Sequence, residues 1–197
     1  MSFRIENKYK VELLKLDELY LFFKNNFAKI LYPKRMIRSI YFDNNIFSSH
    51  EDSVEGIVPR KKVRLRNYSK QDIFNVNNRF NFEFKINSIE GRYKEVKKDV
   101  NHLKLLNTGY FDSTYGLMYP VVEISYLREY YLIHTQRITL DTQINYNIFN
   151  KKKSRLFDSE IILEIKSNNL DNFNFIEEKF SFMKTRFSKY SNAIESL

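Results

Sequence analysis

Cationic and apolar residues alternate strictly along one short stretch of the chain. In Lys62-Val63-Arg64-Leu65-Arg66, every second side chain is an amine or a guanidinium group, and apolar residues separate them. Side chains alternate across a β-strand, so this pattern predicts a strand with one apolar face and one cationic face. Arginine can bind phosphate oxygens through forked hydrogen bonds, and lysine can bind them as a point charge. The cationic face therefore suits a polyanion.

The same alternation recurs in four other segments, where the charged positions carry both signs. These segments are Arg4–Tyr9, Phe82–Lys85, Arg137–Asp141 and Leu163–Lys166. Several such strands can close into a barrel. Charged faces pointing inward, with helices over the apolar faces, would then enclose a tunnel lined by Arg, Lys and a few carboxylates. An antiparallel sheet with one face in water would produce the same alternation.

Composition narrows the class of protein. The chain has 197 residues, a formal net charge of +9 and no cysteine. The length fits one domain, and the lack of cysteine excludes disulfides, thiolate metal sites and cysteine nucleophiles. The charge favours an anionic partner such as nucleic acid, an acidic membrane surface or a phosphate-rich small molecule. No apolar run approaches the length of a bilayer-spanning helix, so we expect a soluble, cytoplasmic protein.

The periodicities predict an α+β fold that is rich in strands and forms a single domain over residues 1–197. We expect helices at Leu16–Leu31, Val100–Leu106, Leu170–Phe182 and Ser188–Leu197, and strands at Arg4–Tyr9, Met36–Phe42, Arg60–Tyr68, Phe80–Ile86, Arg92–Lys97, Pro120–Leu132, Arg137–Ile144 and Ile161–Lys166. Pro33 is expected to end the first helix. The segments Asp43–Gly56, Gln71–Arg79 and Asn107–Tyr119 are expected to be loops or turns.

Seven segments, in chain order, together resemble the VTC domain, the polyphosphate polymerase branch of the triphosphate tunnel metalloenzymes. They are Arg4–Tyr9, Ser39–Asp43, Arg60–Tyr68, Phe82–Lys85, Ser125–Arg128, Leu163–Lys166 and Arg186–Tyr190. The resemblance covers nearly the whole chain. It implies a closed antiparallel β-barrel, the triphosphate tunnel, with flanking helices. Such a protein takes ATP with Mn²⁺ or Mg²⁺ and transfers the terminal phosphate to a growing polyphosphate chain.

The resemblance also implies roles for individual residues. The catalytic positions are Arg64, Arg66, Lys85, Arg128 and Arg137, the further phosphate-binding positions are Lys8, Lys94, Arg186, Ser188 and Lys189, and the metal ligand is Glu164. Such a set suits phosphoryl transfer, which needs in-line positioning and neutralisation of phosphate charge more than a nucleophilic side chain.

One position departs from the wider superfamily. Related tunnel hydrolases and cyclases typically begin with Glu-x-Glu-x-Lys, whereas here Arg4 stands at the first acid and Glu6 and Lys8 remain. Fewer acids imply a less complete metal site. The departure favours the polymerase branch, and it leaves open that the protein binds or trims polyphosphate without making it.

Several alternatives remain at this stage. Glu6 and Glu83 can be internal partners of the cations rather than metal ligands. A tunnel hydrolase, a non-catalytic polyphosphate-binding module and a nucleic-acid-binding domain also fit the charge, although no nucleic-acid-binding signature is present and no sequence-specific nucleic acid is expected. The expected partners are ATP and inorganic polyphosphate or another triphosphate. A separate membrane protein is a further partner, which would hold this one at the inner face of a membrane.

Overall fold

The computed structural model of the chain describes residues 5–68, 77–151, 156–167 and 174–196. Within these ranges the strands are β1 (Ile5–Val11), β2 (Lys29–Asp43), β3 (Arg60–Asn67), β4 (Asn81–Ser88), β5 (Gly91–Lys97), β6 (Tyr110–Asp112), β7 (Gly116–Ile133), β8 (Gln136–Ile148), β9 (Leu156–Asp158), β10 (Ile161–Ser167) and β11 (Met183–Lys184). The helices are α1 (Leu16–Asn25), α2 (Ser48–Glu55), α3 (His102–Thr108), α4 (Asn174–Lys179) and α5 (Lys189–Glu195). Strands and helices together confirm the expected α+β class.

The strands form a large antiparallel sheet in the order β11-β1-β10-β8-β7-β2-β3-β4-β5. Strand β6 pairs with β7, and β9 pairs with β8. The order has two ends, so across the described residues the sheet is not closed by hydrogen bonds, and the expectation of a closed barrel is wrong in this respect. At one end, β5 is exposed along nearly its whole length and carries Arg92, Lys94 and Lys97. Exposed cations on an edge strand oppose further strand pairing.

The chain forms two compact units. The first consists of Met1–Arg35, Tyr126–Ile144 and Asp158–Phe187, and the second of Met36–Ser125, Asn145–Phe157 and Ser188–Leu197. Strands β2, β7 and β8 each contribute residues to both units. The expectation of a single domain over residues 1–197 stays a prediction.

The core of the first unit lies between strands and helices. Apolar side chains of β1, β8 and β10 pack with those of α1 and with residues in and just after α4; the buried members are Tyr9, Val11, Leu19, Phe23, Ile133, Ile138, Leu140, Ile161, Leu163, Ile165, Ile176 and Phe180. The apolar positions that alternate with charge in Leu163–Lys166 and Arg137–Asp141 are all in this core. Their burial fixes which side of each strand the charged residues occupy.

The second unit has its own core. Its buried residues are Ile40, Phe42, Val63, Leu65, Phe80, Phe82, Phe84, Leu106, Tyr115 and Met118. Val63 pairs with Phe84, and Leu65 pairs with Phe82, so apolar residues meet across the sheet. Because side chains alternate, Arg64 and Arg66 must lie on the opposite face.

Two expected elements differ from the structure. Helix α1 ends at Asn25, because Phe27 adopts a left-handed backbone conformation with φ +53°, and Ile30 and Leu31 begin β2 instead. Pro33 therefore lies inside β2, in its mostly exposed first half, where the missing N–H is tolerated.

The segment expected to be a polar loop contains α2. The Asp43 carboxylate accepts hydrogen bonds from the backbone N–H groups of Asn44, Ser49 and His50 at 2.9, 3.1 and 3.0 Å. The bond from Ser49 satisfies a donor in the first turn of the helix, where partners within the helix are lacking. The bond from His50 adds to its backbone bond to the Phe47 carbonyl. Likewise, β6 and the start of β7 lie in Asn107–Tyr119, which was expected to be irregular. Most of Gln71–Arg79 lies outside the described residues.

Candidate phosphate and metal site

Arginines and a lysine converge on one buried carboxylate in the second unit. Glu83 of β4, 1% exposed, accepts hydrogen bonds from Arg64 Nε at 2.8 Å and from Lys94 Nζ at 2.7 Å. Arg66 Nη1 lies 3.8 Å from the same carboxylate, and Arg66 Nε donates to Ser39 Oγ at 3.0 Å. We call Arg64, Arg66, Glu83 and Lys94 the Glu83 cluster. Its three cations share one anion, so the cluster carries excess positive charge.

This excess is visible in the pKa values of the acidic groups. Burial would raise the pKa of Glu83, but Arg64, Arg66 and Lys94 lower it to about 2. Burial would also raise the pKa of Tyr41, but the charges of Arg64 and Arg66, a hydrogen bond from Arg64 and the charge of Lys62 lower it to about 7. A site that stabilises a phenolate near neutral pH favours negative charge strongly.

Three lysines on neighbouring strands form a row that includes Lys94 of this cluster. Lys62 of β3 pairs with Lys85 of β4, and Lys85 pairs with Lys94 of β5. Like charges directly opposite on neighbouring strands destabilise a sheet. An anion lying over the row would remove that repulsion, so the row indicates an anion-binding surface.

Helix α5 contributes to the same face of the second unit. Lys62 Nζ donates to Ser188 Oγ at 3.0 Å and lies 5.4 Å from the centre of the Tyr190 ring. Ser188 is the N-cap of α5, and its Oγ accepts from Ser191 N at 3.3 Å. The structure therefore brings Ser188 to the lysine row, as a phosphate-binding role requires. Lys189 is the first residue of α5 and is half-buried.

Positive and negative side chains alternate on the paired strands β1 and β10 of the first unit. Glu6 is opposite Lys166, and Lys8 is opposite Glu164. Lys166 Nζ is 2.6 Å from Glu164 Oε1 and 3.5 Å from Glu6 Oε2, and Lys8 Nζ is 3.7 Å from Glu6 Oε1. We call these four residues with Arg128 the Glu164 cluster, because Arg128 Nη2 lies 3.9 Å from Glu164 Oε2. Opposite charges on facing strands stabilise this arrangement.

Arg128 has a second, closer carboxylate partner. Its Nε and Nη2 donate to the two oxygens of Asp141 at 2.5 and 2.6 Å, a forked pair. Burial opposes the charge of Arg128, but Asp141 and Glu164 keep its pKa well above the ordinary value. Burial likewise opposes the charge of Glu164, but Lys166, Arg128 and Lys8 hold its pKa well below the usual range. Unlike the Glu83 cluster, this one is close to charge balance.

Lys8 of this cluster makes a further contact, and Arg137 of β8 lies directly opposite Lys166. Lys8 Nζ donates to the carbonyl oxygen of Phe187 at 2.8 Å, which ties β1 to the segment before α5. Arg137 is exposed and lies 5.7 Å from the ring centre of Tyr130 and 5.9 Å from that of Tyr32. Arg186 is exposed. Whether both sets of expected residues line one tunnel stays a prediction.

Glu164 has a neighbouring oxygen that could join it as a ligand of a divalent cation. The Thr139 side chain, directly opposite Glu164 on β8, is 3% exposed, and its hydroxyl makes no hydrogen bond within the described residues. A carboxylate and a hydroxyl are the hard oxygen donors that Mg²⁺ and Mn²⁺ accept. In those same residues, no three His, Cys, Asp or Glu side chains are grouped as metal ligands. The residues therefore fit a partial shell that substrate oxygens would complete.

Sequence reasoning missed four participants in these clusters. Tyr41 and Lys62 adjoin the Glu83 cluster, and Lys166 and Asp141 belong to the surroundings of Glu164. Each of the four side chains lies on the charged face of its strand, so the alternation of residue types could have identified all four. Glu6 and Glu83 both form ion pairs with cations, as one of the alternatives for these residues required.

Comparison with known proteins identifies the family. The family model of the VTC domain matches residues 3–197. The chain belongs to the VTC domain family. No curated protein sequence matches it significantly.

Solved structures similar to this VTC domain share its fold at low sequence identity. A candidate adenylate cyclase from Bacillus halodurans has a TM-score of 0.64 and 14% identity, with 95% of this chain and 96% of that chain covered. One from Vibrio parahaemolyticus has a TM-score of 0.59 and 13% identity, with 98% of each chain covered. A candidate adenylyl cyclase from Hippeastrum, described as having a dominant triphosphatase activity, has a TM-score of 0.56 and 11% identity, with 98% and 96% covered. The VTC domain thus shares the overall fold of these three structures.

The described part of the chain has no helix that is both long enough and apolar enough to cross a bilayer.

Proposed function

We propose that this VTC domain is a polyphosphate polymerase, which transfers the terminal phosphate of ATP to a growing inorganic polyphosphate chain with the help of Mn²⁺ or Mg²⁺. The observation that carries the proposal is the row Lys62, Lys85 and Lys94 beside Arg64 and Arg66. The Glu83 carboxylate contacts three of these cations, namely Arg64, Arg66 and Lys94. A chain of phosphates supplies the compensating charge along such a surface.

The two clusters suit different parts of the chemistry. The Glu83 cluster has excess positive charge, so it suits binding and charge neutralisation of phosphates without a metal. The Glu164 cluster is nearly balanced by Glu6, Glu164 and the nearby Asp141, so it suits phosphate together with a divalent cation. A bound metal would neutralise charge on phosphate oxygens as a Lewis acid.

The residues of the chain would then position the reacting groups. Arg64 and Arg66 would bind phosphate oxygens through guanidinium forks, and the lysine row would follow the chain as point charges. Arg128 is held in place by its forked pair with Asp141, so its remaining N–H donors are oriented before substrate arrives. Glu164 and Thr139 would offer oxygen ligands to the cation.

The test is incubation of the purified protein with ATP and Mn²⁺. We expect ADP to form while polyphosphate accumulates as a ladder on a gel, and the ladder should disappear after treatment with an exopolyphosphatase. Release of orthophosphate with no ladder would overturn the polymerase proposal. A variant with Lys62, Lys85 and Lys94 all changed to Gln retains Glu164 but loses the cationic row. We expect this variant to form no polyphosphate ladder.

A tunnel triphosphate hydrolase is the second candidate. It is favoured by the likeness in fold to the Hippeastrum protein described as having a dominant triphosphatase activity. The products decide between the two: a hydrolase releases one orthophosphate for each ATP consumed, whereas a polymerase retains that phosphate in the chain. A non-catalytic binding module would retain polyphosphate and turn over no nucleotide. A membrane protein partner would be sought by co-purification from detergent extracts.

A further inference from the structure

Lys166 contacts one of the two carboxylate oxygens of Glu164, the proposed ligand of a divalent cation. Its ammonium lies 2.6 Å from Glu164 Oε1, the shortest ion-pair distance within the Glu164 cluster. Both residues are on β10 and two positions apart, so they share one face of the strand. The Glu164 side chain is 8% exposed, so few directions of approach to the carboxylate remain.

A second carboxylate, that of Glu6, lies close to the Lys166 ammonium. Glu6 is directly opposite Lys166 on β1, and Glu6 Oε2 lies 3.5 Å from Lys166 Nζ. The Lys166 side chain is 34% exposed and long, so its end can move between the two carboxylates without a change of backbone. The ammonium therefore has an alternative partner when it leaves Glu164.

We infer that Lys166 is an internal competitor of the divalent cation at Glu164, displaced toward Glu6 when the metal binds. An ammonium and a divalent cation repel each other at short distance, so each weakens the binding of the other to the Glu164 carboxylate. In the absence of metal, Lys166 neutralises that carboxylate; in its presence, Lys166 and Glu6 form the pair. The consequence is a metal affinity lower than that of the same oxygens without the lysine.

The inference rests on the metal of the proposed function, but it is tested without nucleotide. Binding of Mn²⁺ alone to the full chain would be measured from the electron paramagnetic resonance signal of free Mn²⁺, for the wild type and for Lys166→Met. We expect the variant to bind Mn²⁺ about tenfold more tightly, because a nearby competing unit charge is removed. Glu164→Gln in the Lys166→Met background should abolish the gain.

Two control variants isolate the role of position and charge. Lys10, on β1, lies 2.7 Å from Glu160 and is similarly exposed, so Lys10→Met removes an equal charge from a different ion pair. Lys166→Arg keeps the charge at the original position. Both controls should bind Mn²⁺ within about twofold of the wild type.

Equal or weaker Mn²⁺ binding by Lys166→Met, or an equal gain in Lys10→Met, would overturn the inference, and so would undetectable binding by every variant. Circular dichroism would confirm folding, and Lys166→Gln provides the same comparison should the methionine variant unfold. The proposed function can fail separately, because a protein that makes no polyphosphate can still show the competition. Conversely, if the protein makes polyphosphate but its Mn²⁺ affinity does not change on substitution of Lys166, the proposed function stands and this inference is wrong.

Discussion

Arg64 Nη1 donates a hydrogen bond of 2.8 Å to the hydroxyl oxygen of Tyr41 on the facing strand. The Tyr41 ring also stacks on Tyr190 of α5, with ring centres 4.8 Å apart. One phenol thus joins the cationic face of β3 to the helix that contacts Lys62. The relationship makes Tyr41 a reporter of the charge of the Glu83 cluster.

We predict that Tyr41 ionises near neutral pH. Its pKa is lowered to about 7, although burial alone would raise it, because Arg64, Arg66 and Lys62 stabilise the phenolate. The ultraviolet phenolate signal should therefore show one tyrosine titrating near pH 7, and Tyr41→Phe should remove it. Bound tripolyphosphate should move the transition to higher pH, since it neutralises the arginines. A titration with no transition below pH 9 would contradict this assignment.

The lowered pKa of Tyr41 also predicts how the free energy of unfolding changes with pH. The folded-state pKa lies below the unfolded value, so the unfolded chain binds more protons between about pH 7 and pH 10. The contribution of Tyr41 to the free energy of unfolding is fully present above about pH 10 and is lost as the pH falls to about 7. Comparing urea unfolding of the wild type and Tyr41→Phe across this range would measure it.

Glu83→Gln is predicted to destabilise the protein in the absence of phosphates. The substitution leaves Arg64 and Arg66 without their shared carboxylate, and breaking a buried ion pair costs about 3 to 5 kcal/mol. Tripolyphosphate should restore more stability to the variant than to the wild type, because it replaces the missing charge. Thermal unfolding with and without tripolyphosphate measures both effects. Equal stabilisation of the two proteins would mean that the phosphates bind elsewhere.

Glu164→Gln should separate metal dependence from phosphate binding. The substitution keeps the size of the side chain but deletes the charge that a divalent cation needs, so turnover with ATP and Mn²⁺ should fall strongly. Binding of polyphosphate in EDTA should survive or become tighter, since a repelling carboxylate is gone. Product gels and filter binding would measure the two quantities. Normal turnover would remove Glu164 from the metal site.

Arg66→Ala should have the opposite effect. The change removes the forked phosphate contact that the proposed function assigns to Arg66. Hydrogen bonds to charged groups contribute roughly 1.5 to 3 kcal/mol, so polyphosphate binding should weaken by about one to two orders of magnitude with or without metal. Arg38→Ala is a matched control, because Arg38 pairs with Glu123, and its position two residues from Ile40 places it on the apolar-face side of β2. Equal loss of binding in the two variants would show that net charge alone matters.

The local pattern of residue types determined the faces of the strands. Burying Val63 and Leu65 in the apolar core requires Arg64 and Arg66 to lie on the other face, and the structure confirms this. A period of two is a property of the strand itself, so it is legible without knowledge of the partners. The α+β class could be predicted from the same kind of periodicity. The family was predicted from a resemblance instead, because seven short motifs occur in the family's order.

Contacts between residues distant in sequence were decided only by the tertiary structure. Periodicity cannot specify register, so it could not show that Lys166 is opposite Glu6 or that Lys62, Lys85 and Lys94 form one row.

The ends of several elements also depended on tertiary contacts. Asp43 satisfies the first N–H groups of α2, and the backbone conformation of Phe27 ends α1 before the apolar residues that suggested a longer helix. The alternation of residue types determined the face of the strand on which each charged side chain lies. The pairing of strands determined which charges meet, because that pairing depends on the packing of the whole core.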